Sequence, residues 1–169
     1  VLDNNFKNIQ KSPHVKYFDE QKIFFANDKI DIFIISTPTK FHYRYIEKCL
    51  SLDKHVCITK PFTTSFKQVK KLYQKFNNTE KIFLDHTYLF HSSIRHIKSI
   101  IKKRELGKLI YYDSERISFG KFYNDVDVIE DLAIHDLYIL DYLLDGDMPN
   151  KIQVNSQSMF GDKNFISNI

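Results

Sequence analysis

The chain has 169 residues, of which 43% are hydrophobic, a length and composition typical of a folded globular protein. Its net charge of +4 comes from lysines scattered along predicted helices rather than from a basic block with interleaved aromatic residues, which argues against nucleic-acid binding. The two cysteines form no metal spacing, and no apolar run approaches the roughly 20 residues of a membrane span, so we expect a soluble cytoplasmic protein.

The first half of the chain predicts alternating strands and helices. Apolar runs bounded by turn residues predict the strands, and apolar residues at helical spacing predict the helices. In chain order these elements are a strand at His14–Phe18, a helix at Asp19–Asn27, a strand at Ile30–Ser36, a helix at Phe41–Leu52, a strand at His55–Thr59, a helix at Ser65–Phe76 and a strand at Lys81–Asp85. This order predicts a doubly wound parallel sheet, in which the Ile30–Ser36 strand lies centrally and is buried on both faces.

The second half of the chain follows a different order. A helix at Ser92–Glu105, closed by Gly107 as a C-terminal cap, precedes a longer alternating strand at Lys108–Ser118. A helix at Val128–Asp145 and a strand near Ile152–Met159 come next. The pattern predicts part of an α+β domain with a mainly antiparallel sheet, so we divide the chain into domains at residues 1–86 and 87–169.

The Val128–Asp145 helix has a polar side and an apolar side at 3.6 residues per turn. The polar side consists of Asp131, His135, Tyr138 and Tyr142. The apolar side consists of Ile129, Leu132, Ala133, Leu137, Leu140, Leu143 and Leu144. The polar side is either a surface with an ordinary Asp/His pair four residues apart or one part of a functional site.

Polar residues and a proline follow two of the predicted parallel strands. The first strand ends in Ser36-Thr37-Pro38-Thr39 with His42 three residues on, and the second ends in Thr59-Lys60-Pro61. Ligands of doubly wound sheets lie beyond the carboxyl ends of the strands, so Lys60 is either a solvated strand end or a ligand contact. The first 106 residues contain no glycine, and a Gly-rich phosphate loop is therefore absent from the chain.

Four motifs in this order resemble the glucose-fructose oxidoreductase / inositol dehydrogenase family (Gfo/Idh/MocA). They are Asp31–His42, Asp53–Pro61, Glu105–Lys108 and Asp131–Asp136, and the resemblance spans about Val1–Met159. Members of this family are NAD(P)-dependent oxidoreductases of sugar-like alcohols, with an N-terminal dinucleotide-binding domain and a C-terminal open antiparallel sheet. The resemblance implies an incomplete Rossmann-type doubly wound sheet followed by part of an α+β domain, with NAD or NADP as cofactor. It also implies a sugar or nucleotide-sugar substrate and allows a homo-oligomer through the sheet of the second domain.

The resemblance further implies roles for individual residues. Lys60 matches the family lysine that hydrogen-bonds the reacting hydroxyl, and Asp131 and His135 match an Asp-x-x-x-His pair whose histidine is the usual acid/base. The positions that match the cofactor-binding residues are Asp3, Ser36, Thr37, Pro38, Thr39, His42 and Thr59. Asp3 falls where an acid contacts the adenosine ribose, and the loop after the first proline-bounded strand lies along the nicotinamide. Thr59 replaces the family's glutamate, and no metal is implied.

The resemblance also sets expectations about length and substrate. The family's first strand and glycine-rich loop are expected upstream of Val1, in about 25 to 35 residues that the chain lacks, so we expect a chain that is truncated at both ends. Glu115–Gly120 and Asp127–Asp136 look most like the branch associated with nucleotide-sugar oxidation in bacterial surface-polysaccharide synthesis.

Two alternatives stay open from the sequence. The first is a non-catalytic remnant of such an enzyme from a split or decayed gene, which folds poorly or binds a partner through an uncovered sheet edge. The second is a hydrolase whose metal ligands are His86, His91, Asp131 and His135, although these residues lie on separate elements without a tight metal spacing.

Overall fold

The structure is a computed structural model and describes residues 2, 12–18, 20–63, 65–117, 126–158 and 166–169. Its principal elements are α1 (Gln21–Phe25), β1 (Ile32–Ile35), α2 (His42–Ser51), β2 (His55–Thr59), α3 (Phe66–Lys75), β3 (Ile82–Asp85), α4 (Ser92–Lys103), α5 (Ile134–Leu143), β4 (Asn155–Gln157) and β5 (Ile166–Asn168). A π-helical turn at Ile129–Ala133 leads into α5, and 3-10 turns lie at Thr39–Phe41, Thr79–Lys81 and Thr87–Phe90.

Two sheets organise the described residues. Strands β1, β2 and β3 form a parallel sheet in chain order, with Ile34 opposite Cys57 and Cys57 opposite Phe83. Strands β4 and β5 pair antiparallel, and an isolated parallel bridge joins Leu2 to Phe18. This arrangement confirms the predicted fold class, a Rossmann-like parallel sheet with helices followed by a smaller antiparallel sheet.

The core lies between the parallel sheet and helices α2 and α3. Its buried members come from both layers and are Phe33, Ile35, Ile46, Cys49, Leu50, Val56, Ile58 and Leu72. Helix α1 adds aromatic packing, since the ring of Phe25 stacks on Phe33 with centroids 5.0 Å apart. Because α2 follows β1 and is fixed in this core, its first residue lies at the carboxyl edge of the strands.

Several predicted boundaries agree with the structure. Strand β2 spans the predicted residues His55–Thr59. Helix α3 starts directly after Ser65, whose hydroxyl oxygen accepts a hydrogen bond from the Gln68 amide at 3.4 Å. Proline and capping residues thus located these boundaries well.

Strand β1 differs from the prediction because only one of its faces is buried. Ile32 and Ile34 point away from the core helices and are 60% and 76% exposed, and Phe83 on the same face of the sheet is 48% exposed. The central strand of the three is β2. A continuous apolar run fits both a doubly covered strand and an edge strand, so the sequence pattern could not separate the two cases.

The predicted strand at Lys108–Ser118 is wrong for the described residues 108–117, which form no ladder. Alternation gives such a segment one apolar face, but a strand also requires a neighbour for its hydrogen bonds. Near the other end of the chain, the predicted strand at Ile152–Met159 is shorter and spans Asn155–Gln157.

The C-terminal end of α4 also differs from the prediction. The helix ends at Lys103, and Arg104 adopts the left-handed conformation that closes it, with φ of 56°. Gly107, with φ of 83°, completes a further turn by donating its amide to the Arg104 carbonyl. Arg104 therefore takes the C-terminal capping position, for which the sequence predicted Gly107. None of the helices in the described ranges is both long and apolar enough to cross a membrane.

The core predicts a sharp difference between neighbouring positions of α3. Leu72 is 0% exposed in the core, so Leu72→Ala should lower the free energy of unfolding by about 2 to 5 kcal/mol through lost burial and a cavity. Gln74→Ala, at an exposed position of the same helix, should change it by no more than about 0.5 kcal/mol. Urea unfolding followed by circular dichroism measures both values, and similar losses in the two variants would contradict this packing.

Candidate active site

The register of the parallel sheet aligns three loops at its carboxyl edge. Ile35, Ile58 and Leu84 lie in one row across the sheet. The second residues beyond these three positions are Thr37, Lys60 and His86. A threonine hydroxyl, an ammonium group and an imidazole therefore follow neighbouring strands at the edge where doubly wound sheets bind ligands.

Lys60 connects this edge to the turn before α5. Its Nζ donates to Oδ1 of Asp131 at 2.6 Å and to the backbone oxygen of Asp131 at 2.5 Å. The two side chains are 24% and 29% exposed, so the ion pair is only partly open to water. The structure thus brings together two of the residues that the family resemblance singled out.

Asp131 lies in an irregular turn whose start is fixed by a capping box. Oδ1 of Asp127 accepts hydrogen bonds from the amides of Ile129 and Glu130, both at 3.0 Å. Oε2 of Glu130 accepts one from the Asp127 amide at 3.2 Å. This Asp-x-x-Glu pattern was visible in the sequence and marks the helix start. Single π-helical turns occur often at functional sites, which agrees with the contact between Asp131 and Lys60.

The predicted apolar side of this helix is only partly its buried side. Leu143, a predicted member of the apolar side, is buried, but Leu137, another member, is exposed, and Ile139, which the prediction does not assign to that side, is buried. The prediction used 3.6 residues per turn throughout, whereas the π turn at Ile129–Ala133 changes the rotation between Asp131 and α5. Charged residues such as Asp136 and Asp141 also lie between the apolar residues of α5, so periodicity alone did not determine which side packs.

His135 lies among four charged groups. Burial lowers its pKa most, and the positive charges of Lys60 and Arg116 lower it further, while the carboxylates of Asp136 and Asp131 act in the opposite direction. Its Nδ1 is buried and has no hydrogen-bond partner among the described residues. The imidazole is therefore neutral at pH 7 and can accept a proton.

A second ion pair next to His135 was not anticipated as part of the site. The Arg116 guanidinium donates to both carboxylate oxygens of Asp136, at 2.8 and 2.9 Å, and to the Tyr88 hydroxyl at 3.2 Å. The Tyr88 ring meets the His135 ring edge to face, with centroids 4.9 Å apart. The Arg116 hydrogen bonds also lower the pKa of Asp136. Asp136 directly follows His135 in the family motif, which was the signal available in the sequence.

His86 was considered only as a metal ligand, but the structure places it in the same cluster. It is 7% exposed, and its ring lies against Tyr138 with centroids 3.2 Å apart. Both ring nitrogens lack a hydrogen-bond partner in the described part of the chain. Burial and the charge of His135 lower its pKa to about 4, and the Asp85 carboxylate only partly opposes this effect.

Unpartnered polar atoms concentrate at this edge. Within the described ranges, the buried side-chain nitrogen and oxygen atoms without a hydrogen-bond partner are Thr37 Oγ1, His86 Nδ1, His86 Nε2 and His135 Nδ1. Each such atom costs free energy, so their grouping indicates where a ligand or water completes the hydrogen bonds. The Thr37 loop lies at the edge where doubly wound sheets bind ligands, and the first 106 residues contain no glycine.

The other predicted cofactor residues have different surroundings. Ser36 and Pro38 are exposed, Thr39 is buried in the 3-10 turn, and Thr59 pairs with Asp85 in the sheet. His42 is 1% exposed, and its ring nitrogens lie at hydrogen-bond distance from the backbone oxygens of Pro61 and Thr37. The sequence pattern therefore placed His42 at the correct edge, but its side chain faces the protein. Asp3 lies outside the described residues.

The metal-hydrolase alternative names four ligands, of which His91 and Asp131 have other partners. Nδ1 of His91 accepts a hydrogen bond from the Ser93 amide at 3.3 Å and caps α4. Asp131 binds Lys60, as described above. Among the residues that the structure describes, no group of three or more His, Cys, Asp or Glu side chains is placed to hold a metal ion.

Comparison with known proteins gives concordant results. Residues 1–86 match the model of the "Oxidoreductase family, NAD-binding Rossmann fold". The chain is 27% identical over 103 residues to the uncharacterized oxidoreductase YdgJ of Escherichia coli, covering 60% of the chain and 30% of that protein. It is 28% identical over 137 residues to UDP-N-acetylglucosamine 3-dehydrogenase of Acidithiobacillus ferrooxidans, covering 80% of the chain and 42% of that protein.

A solved structure shows the same fold. GenD2 from gentamicin A biosynthesis, in complex with NAD, superimposes with a TM-score of 0.72 at 12% identity, covering 90% of this chain and 47% of that chain. At this identity the likeness establishes the fold alone. The chain spans between 30% and 42% of the lengths of the two curated relatives above.

The environment of His86 predicts a pH-dependent stability. Because its pKa is about 4 in the folded chain and about 6.5 when unfolded, the unfolded chain binds more protons as pH falls between these values. The contribution of His86 to the free energy of unfolding is therefore fully present above pH 6.5. About 1 to 3 kcal/mol of this free energy is lost by pH 4.

We expect His86→Gln to remove this component, so that the variant loses less stability than the parent chain between pH 7 and 4.5. His96→Gln, at an exposed position of α4, is the matched control and should follow the parent chain. Urea unfolding at a series of pH values measures the difference. Parallel pH profiles for the parent and His86→Gln would contradict the buried neutral imidazole.

Proposed function

Because the chain belongs to the oxidoreductase family with an NAD-binding Rossmann fold, we propose that it serves an NAD- or NADP-dependent dehydrogenase. In this proposal residues 1–86 belong to the dinucleotide-binding domain and residues 87–169 to the substrate domain. The substrate is a sugar or nucleotide sugar, whose hydroxyl group is oxidised to a carbonyl.

The observation that carries the proposal is the contact between Lys60 and Asp131 beside His135. An ammonium group and a partly buried neutral imidazole lie at the carboxyl edge of a parallel sheet, where doubly wound sheets bind their ligands. Oxidation of an alcohol requires a base for the hydroxyl proton and a positive group for the oxygen. This edge supplies both.

Lys60 is the group that we assign to the substrate oxygen. As the hydroxyl proton leaves, negative charge develops on the oxygen, and a nearby ammonium group stabilises it. Asp131 holds Nζ of Lys60 through its carboxylate and its backbone oxygen, so the ammonium group has a fixed position before the substrate arrives. Asp131 thus acts on Lys60 rather than by a hydrogen bond to His135.

His135 is the base that accepts the hydroxyl proton. Its lowered pKa keeps it in the neutral form at pH 7, which is the form required for oxidation. The Tyr88 ring contacts the His135 ring, and its hydroxyl accepts a hydrogen bond from Arg116, which is paired with Asp136. In this proposal these side chains fix the side from which a substrate reaches His135. The bound nicotinamide supplies the acceptor for the hydride that leaves the carbinol carbon.

The substrate class rests on similarity. The relative from Acidithiobacillus ferrooxidans acts on UDP-N-acetylglucosamine by name, and the chain matches 42% of its length at 28% identity. The motifs around Arg116 and Asp131 resemble the branch associated with nucleotide-sugar oxidation in surface-polysaccharide synthesis. A nucleotide sugar is therefore the substrate to assay first.

Replacing either proton-handling residue tests the mechanism. Lys60→Met removes the ammonium group at similar length, and His135→Asn removes the base, so each should lower kcat by about 100- to 10,000-fold. The assay follows nicotinamide reduction by the complete gene product with a panel of UDP-sugars. His96→Asn, at an exposed position of α4, should keep the parental rate. Wild-type turnover in both site variants would disprove these roles.

Calorimetry with NAD separates the enzyme from the non-catalytic remnant. We expect this chain to bind NAD with a dissociation constant in the micromolar range. Thr37→Val removes the buried, unpartnered hydroxyl and should weaken binding about 5- to 10-fold, the equivalent of about one hydrogen bond. Thr79→Val, in the turn before β3, should leave the affinity unchanged. Absence of NAD binding to this chain would favour the remnant.

A further inference from the structure

His42 occupies a position that the proposed chemistry does not use. It is the first residue of α2, it is 1% exposed, and its helix is anchored by Ile46 and Cys49 in the core. Nε2 lies 2.8 Å from the backbone oxygen of Thr37, and Nδ1 lies 2.9 Å from the backbone oxygen of Pro61. The ring therefore has no free nitrogen for a ligand.

The two carbonyl groups belong to different loops of the candidate site. Thr37 follows β1 and carries the unpartnered hydroxyl group, whereas Pro61 follows β2 and is adjacent to Lys60. The sheet fixes the strands only up to their last paired residues, Ile35 and Thr59. Beyond these residues, His42 bridges the two loops through side-chain hydrogen bonds.

The chemistry of the bridge is specific for histidine. A backbone oxygen only accepts hydrogen bonds, so each ring nitrogen must donate. Both bonds form together only when both nitrogens carry a proton, in which case the ring is positively charged. A charge-assisted hydrogen bond is stronger than a neutral one. The ring is also fully buried, so it has little freedom to move between the two loops.

We propose that His42 is a positioning residue that locks the loop after β1 to the loop after β2. The lock keeps the Thr37 hydroxyl and the Lys60 ammonium group at a fixed separation. Its catalytic consequence rests on the proposed function, since that separation sets how a substrate oxygen held by Lys60 meets the nicotinamide. The lock itself is a property of the folded chain and does not depend on that function.

Two measurements on this chain test the lock without any substrate. Nitrogen-15 NMR of the imidazole should show a proton on both ring nitrogens of His42. A proton on only one nitrogen would show that the ring does not donate both hydrogen bonds. Hydrogen exchange should accelerate in residues 36–39 and 60–63 of His42→Phe, which retains an aromatic ring but has no donor. Ile46→Val, which removes a methylene from the same helix, should leave exchange in these loops unchanged. Equal effects of the two variants would overturn the lock.

Kinetics of the complete gene product test the catalytic consequence. His42→Phe should lower kcat about 10- to 100-fold and raise KM for NAD about 10-fold, since a displacement of about 1 Å can cost about 100-fold in rate. A loss of folded enzyme alone would lower kcat and leave KM unchanged. His42→Gln, whose amide can still donate, should recover part of the loss. If the exchange result holds but the parent enzyme does not use NAD, the proposed function fails and the lock stands.

Discussion

The ion pair between Lys60 and Asp131 is the contact on which the candidate site depends, because it joins residues that are 71 positions apart in the chain. Lys60 extends from the central strand of the parallel sheet, whose position is fixed by pairing on both sides. Asp131 belongs to the turn that leads into the helix of His135. A partly exposed pair adds little to stability, so its main effect is geometric. It holds the helix of His135 against the carboxyl edge of the parallel sheet.

The core that stabilises the fold and the candidate site lie in adjacent regions around the parallel sheet. Eight buried residues between the sheet and helices α2 and α3 form an apolar core that includes no charged side chain. The carboxyl edge above this core contains the unpartnered atoms of Thr37, His86 and His135, each of which opposes folding. A fold tolerates such atoms where function requires them and where the core offsets their cost. Helix α2 belongs to both regions, because Ile46 lies in the core and His42 lies at the edge.

The sequence predicted those features that depend on local chemistry. Strand β2 and the start of α3 followed from an apolar run, a proline and the capping residue Ser65, and the family motifs led to Lys60 and Asp131. Features that depend on tertiary packing were missed. A regular helical period did not predict that Leu137 of α5 is exposed and Ile139 buried, and the buried environment of His86 has no local signature. The bidentate contact between Arg116 and Asp136 joins segments whose contact no periodicity indicates.

The charges around His135 explain why two carboxylates accompany two cations at this edge. Lys60 and Arg116 both lower the pKa of His135, and two unpaired cations in a partly buried site would lower it further. Asp131 and Asp136 each pair with one cation and oppose that effect, so they limit how far the pKa of His135 is lowered. The role of Asp131 is therefore electrostatic as well as geometric. It tunes His135 through the charge that it balances on Lys60, although the two side chains share no hydrogen bond.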